Sequence, residues 1–435
     1  MYSVVRDRIP CGRKENTVRR IPKEKSTPEP YWNICSYNIL RHFGKWENMR
    51  KADWNDALDM APHRGESVAF SNAYAGNLIG LAELIEEQQH RGYEEFQFLQ
   101  EMEILFTEDM ALYEDPDGKQ KLLEEYLGKC MHHVSGNSIR VDAGELADNL
   151  RKKGQWMQEH IRRTEWIEED EEKGWFNGYY DDHGAALEGI RGGRAHMMLT
   201  GQVFSLMNAT ATKEQAQKII RSAEEHLFDA SCGGYRLNTD FGEIKTDMGR
   251  MFGFAYGEKE NGAVFSHMAV MYANALYTRG FAREGYKALQ ALYRQAMDPA
   301  KSRTYPGIPE YFGHGGRGLY HYLTGAASWY MLTVVTGAFG VRGSYGDLLV
   351  EPMLVKEQFS EEGLATIQLK FRGKTIQLQY VNADRLDYGE YHLQGVQTGE
   401  DIVYIREGDT LRIPAEQIAE MSECGVHRIV ITLGK

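Results

Sequence analysis

The chain has 435 residues, enough to bury one large core and to carry a second, smaller domain. Its 63 acidic residues outnumber its 50 basic residues, and the net charge of −13 argues against binding to nucleic acid phosphates. Five scattered cysteines form no CxxC pair, so neither a disulfide framework nor a zinc site is expected, and no cofactor is predicted. No apolar run could span a bilayer and no apolar signal region is visible, so a cytoplasmic location is the default expectation.

Most of the chain before residue 347 is predicted to be helical. Residues 1–31 offer little to bury and are expected to be a disordered or irregular segment. From residue 32 to residue 346, apolar residues recur at helical spacing, which indicates a mainly α catalytic domain. Examples of the predicted helices are Ser67–Gln89, Tyr93–Tyr113, Asp142–Trp166, Lys213–Phe228, Ala263–Arg279 and Ala282–Met297.

Three long loops, rich in glycine and aromatic residues, separate these helices at residues 174–193, 233–261 and 305–318. Long ordered loops in a compact domain commonly carry function. Helices joined alternately by short turns and long loops are typical of a helical toroid with its site at one mouth. A helical solenoid is the competing interpretation, although no repeat of fixed period is visible.

The sequence pattern changes near the C-terminus. Apolar and polar residues alternate over residues 367–371 and 376–380, on either side of the turn Arg372-Gly373-Lys374. This pattern predicts a β-hairpin, and residues 427–433 predict a last strand. Residues 347–435 are therefore predicted to form a C-terminal β-sandwich module.

The segment Trp54-Asn55-Asp56 combines side chains that suit carbohydrate chemistry. An indole offers an apolar face on which a sugar ring can stack, and the two polar side chains can bond hydroxyl groups. A carboxyl group beside an aromatic wall can keep its proton at neutral pH. Asp56 is therefore the candidate general acid, with Asp53 and Asp59 as rivals. The alternative is that this segment only caps a helix.

Two further segments carry candidate site residues. Residues 260–267 lead into a predicted helix, where His267 could donate a hydrogen bond or carry charge near an anion. The alternative, which is more common for a lone histidine, is a buried side chain whose hydrogen bonds are satisfied within the core. Glu310 and Tyr311 lie in a loop that two prolines stiffen, which could hold both at a site. The alternative there is a structural crossover loop with a surface carboxylate.

Thr324 and Gly325 open the predicted helix that carries Trp329. A hydroxyl group and free backbone N–H groups at a helix N-terminus form a site for an anion. The spacing is not that of a nucleotide-binding P-loop, which favours a small oxyanion such as phosphate. A threonine N-cap with a glycine for close packing is the alternative. The trio Asp181-Asp182-His183 is predicted to lie in a loop rather than in a metal site.

Together these segments resemble the cellobiose phosphorylase family, glycoside hydrolase family 94. The matching segments occur in the family's order and cover roughly residues 32–352. They are Ala52–Leu58, Arg64–Val68, Trp175–Gly184, Glu260–His267, Leu323–Trp329, Phe339–Gly343 and Asp347–Pro352. The set is specific as a whole, although each segment alone is not.

The resemblance implies an α/α-barrel of the six-hairpin toroid type followed by a β-sandwich. It implies inverting phosphorolysis of a β-glucosidic bond, in which inorganic phosphate attacks the anomeric carbon and α-glucose 1-phosphate is released. The residues that it assigns are Asp56 as the acid, His267, Thr324 and Gly325 at the phosphate, and Trp54, Asn55, Glu310 and Tyr311 at the sugar.

Members of this family carry a β-sandwich and early barrel helices before the Trp-Asn-Asp motif, and that portion supplies an arginine and an aspartate to the site. Here the motif begins at residue 54. We therefore expect a truncated chain with an incomplete barrel, or one that a homodimer partner or another chain completes. The expected ligands are a β-linked gluco-oligosaccharide and phosphate, with neither nucleic acid nor membrane as partner.

Two alternatives to phosphorolysis stay open. An inverting hydrolase on the same barrel would need a second carboxylate as its base, for which Glu310 is the candidate. A catalytically inactive carbohydrate-binding remnant is the other alternative. Phosphate dependence of turnover separates the first from a phosphorylase, and sugar binding without turnover would indicate the second.

Overall fold

The computed structural model describes residues 47–48, 54–304, 307–321, 324–399 and 402–435. The irregular segment predicted for residues 1–31 lies outside these described residues, and so does the rival acid Asp53.

Helices form most of the structure before residue 338. Of the helices within the described ranges, none combines the length and the apolar character needed to cross a membrane. The α-helices are α1 (Val68–His90), α2 (Met110–Glu114), α3 (Pro116–Cys130), α4 (Ala143–Thr164), α5 (Leu199–Met207), α6 (Lys213–His226), α7 (Ser266–Thr278), α8 (Ala282–Ala296), α9 (Pro299–Ser302), α10 (Gly325–Thr333) and α11 (Ala415–Glu420). Short 3₁₀ helices lie at Gln100–Phe106, Arg250–Gly253, His314–Gly316 and Lys356–Gln358, and a π-helical turn lies at Val334–Ala338.

Short strands border the helices, and longer strands follow them. The strands of the helical part are β1 (Glu47–Asn48), β2 (Glu66–Ser67), β3 (Glu95–Leu99), β4 (Ser138–Asp142), β5 (Trp166–Glu168), β6 (Gly174–Phe176), β7 (Tyr179–Tyr180), β8 (Gly189–Arg191), β9 (Arg194–His196), β10 (Phe228–Asp229), β11 (Gly234–Tyr235), β12 (Val264–Phe265), β13 (Tyr311–Phe312) and β14 (Gly318–Leu319). The later strands are β15 (Val341–Ser344), β16 (Asp347–Val350), β17 (Leu364–Phe371), β18 (Lys374–Val381), β19 (His392–Thr398), β20 (Ile405–Glu407), β21 (Thr410–Ile413) and β22 (His427–Gly434).

The helices pack in a continuous succession. Helix α1 packs against α4 and α5, α5 packs against α7, and α7 packs against α8 and α10. The largest core cluster runs from these helices into the C-terminal strands and includes the fully buried Trp175, Tyr272 and Tyr380. A second cluster joins α1 and α4 to α3 and β3 through residues such as Leu78 and Leu123.

Several helices begin at side chains that cap them. The Ser67 hydroxyl accepts a hydrogen bond from the Phe70 N–H group at 3.0 Å, where α1 begins. Thr212 forms a capping box with Gln215 at the start of α6. Each cap satisfies backbone donors that have no partner within the helix, which fixes the first residue of the helix.

The C-terminal strands form two four-stranded sheets with the orders β15-β16-β21-β20 and β17-β18-β22-β19. The predicted hairpin is confirmed, because Phe371 pairs with Lys374 across a turn in which Arg372 and Gly373 both have positive φ, as a tight hairpin requires. Strand β15 begins before residue 347, where the β-module is predicted to start. The domain boundaries and the β-sandwich arrangement stay predictions.

The helix predicted for Tyr93–Tyr113 is wrong. Strand β3 pairs along its whole length with β4, the 3₁₀ helix Gln100–Phe106 follows it, and α2 is the only α-helical part. The apolar residues of this segment fit both a helical and a strand pattern, and the long-range pairing with β4 decides between them. The sequence interpretation also omitted α3, although Asp115 and Pro116 provide the N-cap and first-turn signals of a helix.

Candidate active site

A cavity of about 350 Å³ contains most of the predicted site residues. The residues that line it are Trp54, Asn55, Asp56, Arg250, Phe254, Lys259, Glu260, Phe265, His267, Glu310, Tyr311 and Tyr320. Thr324 and Gly325 do not line it, but they lie directly behind His267, as described below. A wider groove of about 780 Å³ between α6 and α8 contains none of the predicted residues.

The segment that carries Asp56 is a turn rather than a helix start. The Asn55 side chain is buried, its Oδ1 accepts a hydrogen bond from the Ala57 N–H group at 3.2 Å, and the Leu58 N–H group donates to the Asn55 carbonyl at 3.1 Å. No helix begins here, since the next one is α1 at Val68. The alternative of a helix cap is therefore wrong for this segment.

The Asp56 carboxylate points out of the turn and is 73% exposed. Its Oδ1 lies 3.5 Å from Nη2 of Arg250, which makes an exposed ion pair. The aromatic wall that the sequence suggested for Asp56 therefore does not enclose this carboxyl group.

Asp59, the second rival acid, holds Arg250 instead of lining the cavity. Its Oδ2 lies 2.7 Å from Nη1 of Arg250, and its Oδ1 accepts a hydrogen bond from the Arg250 N–H group at 3.1 Å. Both carboxylate oxygens of Asp59 are thus occupied by one partner residue.

His267 lies in the first turn of α7 between two indoles. Its ring centroid is 5.7 Å from that of Trp54 and 5.9 Å from that of Trp329. Burial lowers the pKa of His267 below its usual value, so the imidazole is neutral at pH 7. Its Nε2 atom is buried and has no hydrogen-bond partner among the described residues.

The N-terminus of α10 touches the imidazole of His267. Thr324 is the N-cap of this helix, because its hydroxyl accepts a hydrogen bond from the Ala326 N–H group at 3.2 Å. A Cβ atom on Gly325 would lie 2.7 Å from Cε1 and 2.9 Å from Nε2 of His267. Only glycine therefore lets the helix N-terminus approach the ring this closely.

A three-stranded antiparallel sheet of β12, β13 and β14 brings Glu310 and Tyr311 beside the start of α7. The Ser266 N–H group donates to the Glu310 carbonyl at 2.9 Å, and the Glu310 N–H group donates to the Tyr320 carbonyl at 3.1 Å. Tyr311 is buried, and its ring stacks on that of Phe265 with centroids 6.1 Å apart. Burial raises the pKa of Tyr311, so its hydroxyl stays protonated.

The cavity also contains Glu260, which was not among the predicted site residues. Burial raises the pKa of Glu260, and the nearby carboxylates of Asp56 and Glu310 add to the rise. Its Oε2 atom is buried without a hydrogen-bond partner among the described residues. Glu260 stands first in a motif that the sequence interpretation used for its histidine, so the signal was present.

Lys259 was also not predicted. Its ammonium group lies 4.5 Å from the ring centroid of Tyr320 and 5.4 Å from that of Phe254. A hydrogen bond with Tyr320 raises the pKa of Lys259, which keeps the ammonium charged. Lys259 and Tyr320 both have left-handed backbone conformations, with φ of 49° and 56°, and such positions are not visible in a sequence.

A buried amide network supports the loop that carries Lys259 and Glu260. Asn238 is fully buried, donates from Nδ2 to Asn261 Oδ1 at 3.1 Å and accepts from the Gly262 N–H group at 2.7 Å. Asn261 in turn donates to the Phe254 carbonyl at 2.8 Å. The Asn238 side chain thus holds the end of the loop at Asn261 and Gly262, and Asn261 joins that end to Phe254.

The trio Asp181-Asp182-His183 lies in a loop, where it stabilises the backbone. Oδ1 of Asp182 accepts hydrogen bonds from the backbone N–H groups of His63 and Arg64 at 2.7 and 2.9 Å. Within the parts of the chain that the structure describes, no group of three acidic, histidine or cysteine side chains is placed to hold a metal ion.

Residues 138–340 match the sequence model of the catalytic domain of the Glycosyl hydrolase 94 superfamily. That range contains His267, Glu310, Thr324 and Gly325, whereas Trp54–Asp56 precede it. A catalytic domain of this kind implies an α/α-barrel-type fold, in agreement with the succession of packed helices.

The chain is also similar to three phosphorylases. It is 24% identical over 290 residues to cellobionic acid phosphorylase of Neurospora crassa, covering 63% of this chain and 32% of the relative. It is 24% identical over 223 residues to solabiose phosphorylase of Paenibacillus borealis, covering 49% and 28%. It is 28% identical over 236 residues to N,N'-diacetylchitobiose phosphorylase of Vibrio proteolyticus, covering 51% and 28%. The chain thus spans about a third of the length of the curated relatives it matches.

The packed helices and the matched range together resemble a glycosyl hydrolase catalytic domain with an α/α-barrel-type fold. Residues 138–340 are thus similar to the catalytic domain of the glycosyl hydrolase 94 superfamily, the same family that the motifs of the chain resemble.

Proposed function

We propose that this chain acts as an inverting β-glucoside phosphorylase. It would cleave a β-linked disaccharide or short β-glucan with inorganic phosphate and release α-glucose 1-phosphate. The observation that carries the proposal is that Trp54, Asp56 and His267 line one cavity, with the N-terminus of α10 against the His267 ring. The three similar proteins, each named as a phosphorylase, support it.

Asp56 is proposed to protonate the leaving oxygen. Phosphate would then attack the anomeric carbon from the opposite face, so that one bond to this carbon breaks as the other forms and the configuration inverts. Because phosphate replaces the activated water of an inverting hydrolase, no second catalytic carboxylate is required. Asp56 is exposed in the free chain, and we expect the bound sugar to cover its carboxyl group.

His267, Thr324 and Gly325 are proposed to hold phosphate. The backbone N–H groups and the positive end of the dipole of α10 attract an anion. Nε2 of His267, which has no hydrogen-bond partner within the described ranges, can donate a hydrogen bond in the neutral tautomer that carries its proton there. Phosphate is the only small molecule besides the sugar that this mechanism needs.

Trp54, Asn55, Glu310 and Tyr311 are proposed to contact the sugar. The Trp54 indole supplies an apolar face, and the carboxylate of Glu310 accepts hydrogen bonds from hydroxyl groups. Glu260 joins this group, because a buried carboxyl oxygen without a partner is satisfied when a sugar hydroxyl reaches it.

Hydrolysis is the second candidate function. Among the described residues, the carboxyl groups of Asp56, Glu260 and Glu310 line the cavity, and an inverting hydrolase could use one as its acid and another as its base. The similar phosphorylases favour phosphorolysis. A carbohydrate-binding protein without turnover is the third candidate.

The finer architecture is likewise part of the proposal. We propose that the packed helices belong to a six-hairpin toroid, that the two C-terminal sheets form a β-sandwich, and that a homodimer partner or another chain contributes further helices. Light scattering of the purified chain would measure its mass in solution, and a strictly monomeric, fully active chain would contradict the role of a partner.

The proposed activity is tested by incubating the chain with a panel of β-linked disaccharides, with and without phosphate. The panel includes cellobionic acid, because Arg250 and Lys259 line the cavity and could bind a carboxylate. We expect glucose 1-phosphate only when phosphate is present. Free glucose without phosphate would indicate hydrolysis, and binding without either product would indicate a sugar-binding protein.

A further inference from the structure

The turn that carries Asp56 is held by the neighbouring segment of residues 248–251, in which Arg250 lines the cavity and Gly249 does not. The Met251 N–H group donates to the Ala57 carbonyl at 3.1 Å, and the Met60 N–H group donates to the Met248 carbonyl at 3.1 Å. These two backbone bonds join the turn at residues 57–60 to the segment of residues 248–251, one on each side of Gly249.

Gly249 lies directly against the backbone of the turn at residues 57–60. A Cβ atom on this residue would lie 2.1 Å from the Ala57 carbonyl oxygen, 2.6 Å from Cα of Leu58 and 2.8 Å from the Asp59 nitrogen. All three are backbone atoms, which cannot rotate aside as a side chain can. The Gly249 backbone is extended, with φ of 169°, so the position requires glycine for its size and not for its conformation.

A displacement at Ala57 reaches Asp56 directly. Ala57 and Leu58 are fully buried, so the turn cannot relax by moving their side chains into solvent. The Ala57 N–H group is bonded to the Asn55 side chain, whose Nδ2 lies 3.5 Å from the Met251 sulfur. The whole turn must therefore shift as a unit if the two segments separate.

We propose that Gly249 is a positioning residue that sets where the Asp56 carboxyl group stands in the cavity. The inference rests on the proposed role of Asp56 as the general acid. Gly249 touches neither sugar nor phosphate, and it acts only by letting the two segments meet. Asp59 supports the same junction from the exposed side, since it binds both the backbone and the guanidinium of Arg250.

The test is Gly249→Ala, with Gly253→Ala as the matched control. A Cβ atom on Gly253 would meet nothing within 4 Å, although it lies only four residues further along the same loop. We expect Gly249→Ala to lower kcat for phosphorolysis by about 10²-fold, the size of effect that a misplacement near 1 Å produces, with a smaller change in KM. Gly253→Ala should stay close to the wild type in both constants.

Hydrogen exchange gives a measurement that does not depend on turnover. In Gly249→Ala the amides of Met60 and Met251 should exchange faster than in the wild type, while those of the C-terminal sheets stay unchanged. If Gly249→Ala does not fold, Asp59→Ala replaces it, because it loosens the same junction without adding an atom and should change exchange and kcat in the same direction.

Unchanged exchange at Met60 and Met251, or faster exchange with an unchanged kcat, would overturn the proposal. If the wild type itself shows no phosphorolysis, the proposed function fails, and the exchange rates alone decide whether Gly249 holds the turn. Faster exchange at Met60 and Met251 in Gly249→Ala than in Gly253→Ala would then support its positioning of the turn, and equal exchange would overturn it.

Discussion

His267 is a closely packed side chain that is also proposed to bind phosphate. Its ring lies against two indoles and the first residue of α10, and burial keeps its imidazole neutral by lowering its pKa. A neutral ring beside a helix N-terminus adds no repulsion to the positive end of the helix dipole. A bound anion would change this balance, because its charge favours the imidazolium.

Phosphate binding is therefore expected to raise the pKa of His267. The sign follows from the charges, since a nearby anion stabilises the protonated ring and opposes the effect of burial. The measurement is the pH titration of the histidine Hε1 resonances by NMR, with and without phosphate, with the exposed His132 as the control. If adding phosphate changes the titration of His267 no more than that of His132, the result would contradict a phosphate site at His267.

The chemistry of single residues was easier to predict than their surroundings. Trp54, Asp56 and His267 are residue types with specific uses, and the motifs around them single them out from the sequence alone. The exposure of Asp56, and the lack of a hydrogen-bond partner for Oε2 of Glu260 among the residues that the structure describes, depend on which segments meet, and a sequence does not record this. For the same reason the ion pair that removes Asp59 from the candidate acids was not foreseen.

The loop of residues 254–262 is the element that shapes the cavity wall. It presents Phe254, Lys259 and Glu260 to the cavity, and the buried Asn238 bonds both its Asn261 side chain and its last backbone N–H group. A buried amide with satisfied hydrogen bonds fixes a loop more tightly than surface contacts do.

Asn238→Ala is expected to loosen this loop and to weaken sugar binding. Leaving the buried partners of Asn238 unsatisfied should lower the free energy of unfolding by about 1–3 kcal/mol. Because Lys259 and Glu260 would lose their fixed positions, the KM for the sugar should rise as well. Thermal unfolding and steady-state kinetics measure the two effects.

The matched control for this variant is Asn149→Ala in α4. Asn149 is also buried, and its Nδ2 donates to the Phe106 carbonyl at 2.8 Å, but it does not line the cavity. We expect a similar loss of stability without a change in KM. If both variants change KM equally, or neither does, the loop does not depend on Asn238 in the way described.

Elements with strong local signals were predicted well. The helices predicted to begin near Ser67 and Asp142 and the turn at Arg372-Gly373 are confirmed, and the structure shows that Ser67 and Asp142 cap α1 and α4. Helix α5 was not among the helices named from the sequence, because it is buried on nearly every side and shows no helical period. The helix prediction for residues 93–113 was wrong because β3 forms by pairing with β4, a strand far away in the sequence.

At the scale of the whole molecule, the cavity is assembled from four separate parts of the described chain. The turn at 54–60, the loop at 250–262, the start of α7 and the sheet around Glu310 each contribute residues. Their order in the chain is visible in the sequence and allowed the family resemblance to be recognised. Their distances and the close approach at Gly249 follow only from packing.

The measurement that tests the central claim most directly is the rate of glucose 1-phosphate release by Asp56→Asn. Asp148→Asn, an exposed substitution on α4, is the matched control. We expect the Asp56 variant to lose at least about 10²-fold in kcat, because general acid catalysis disappears, while sugar binding and thermal stability are retained. A rate equal to that of the wild type and of Asp148→Asn would show that Asp56 is not the acid and would contradict the account.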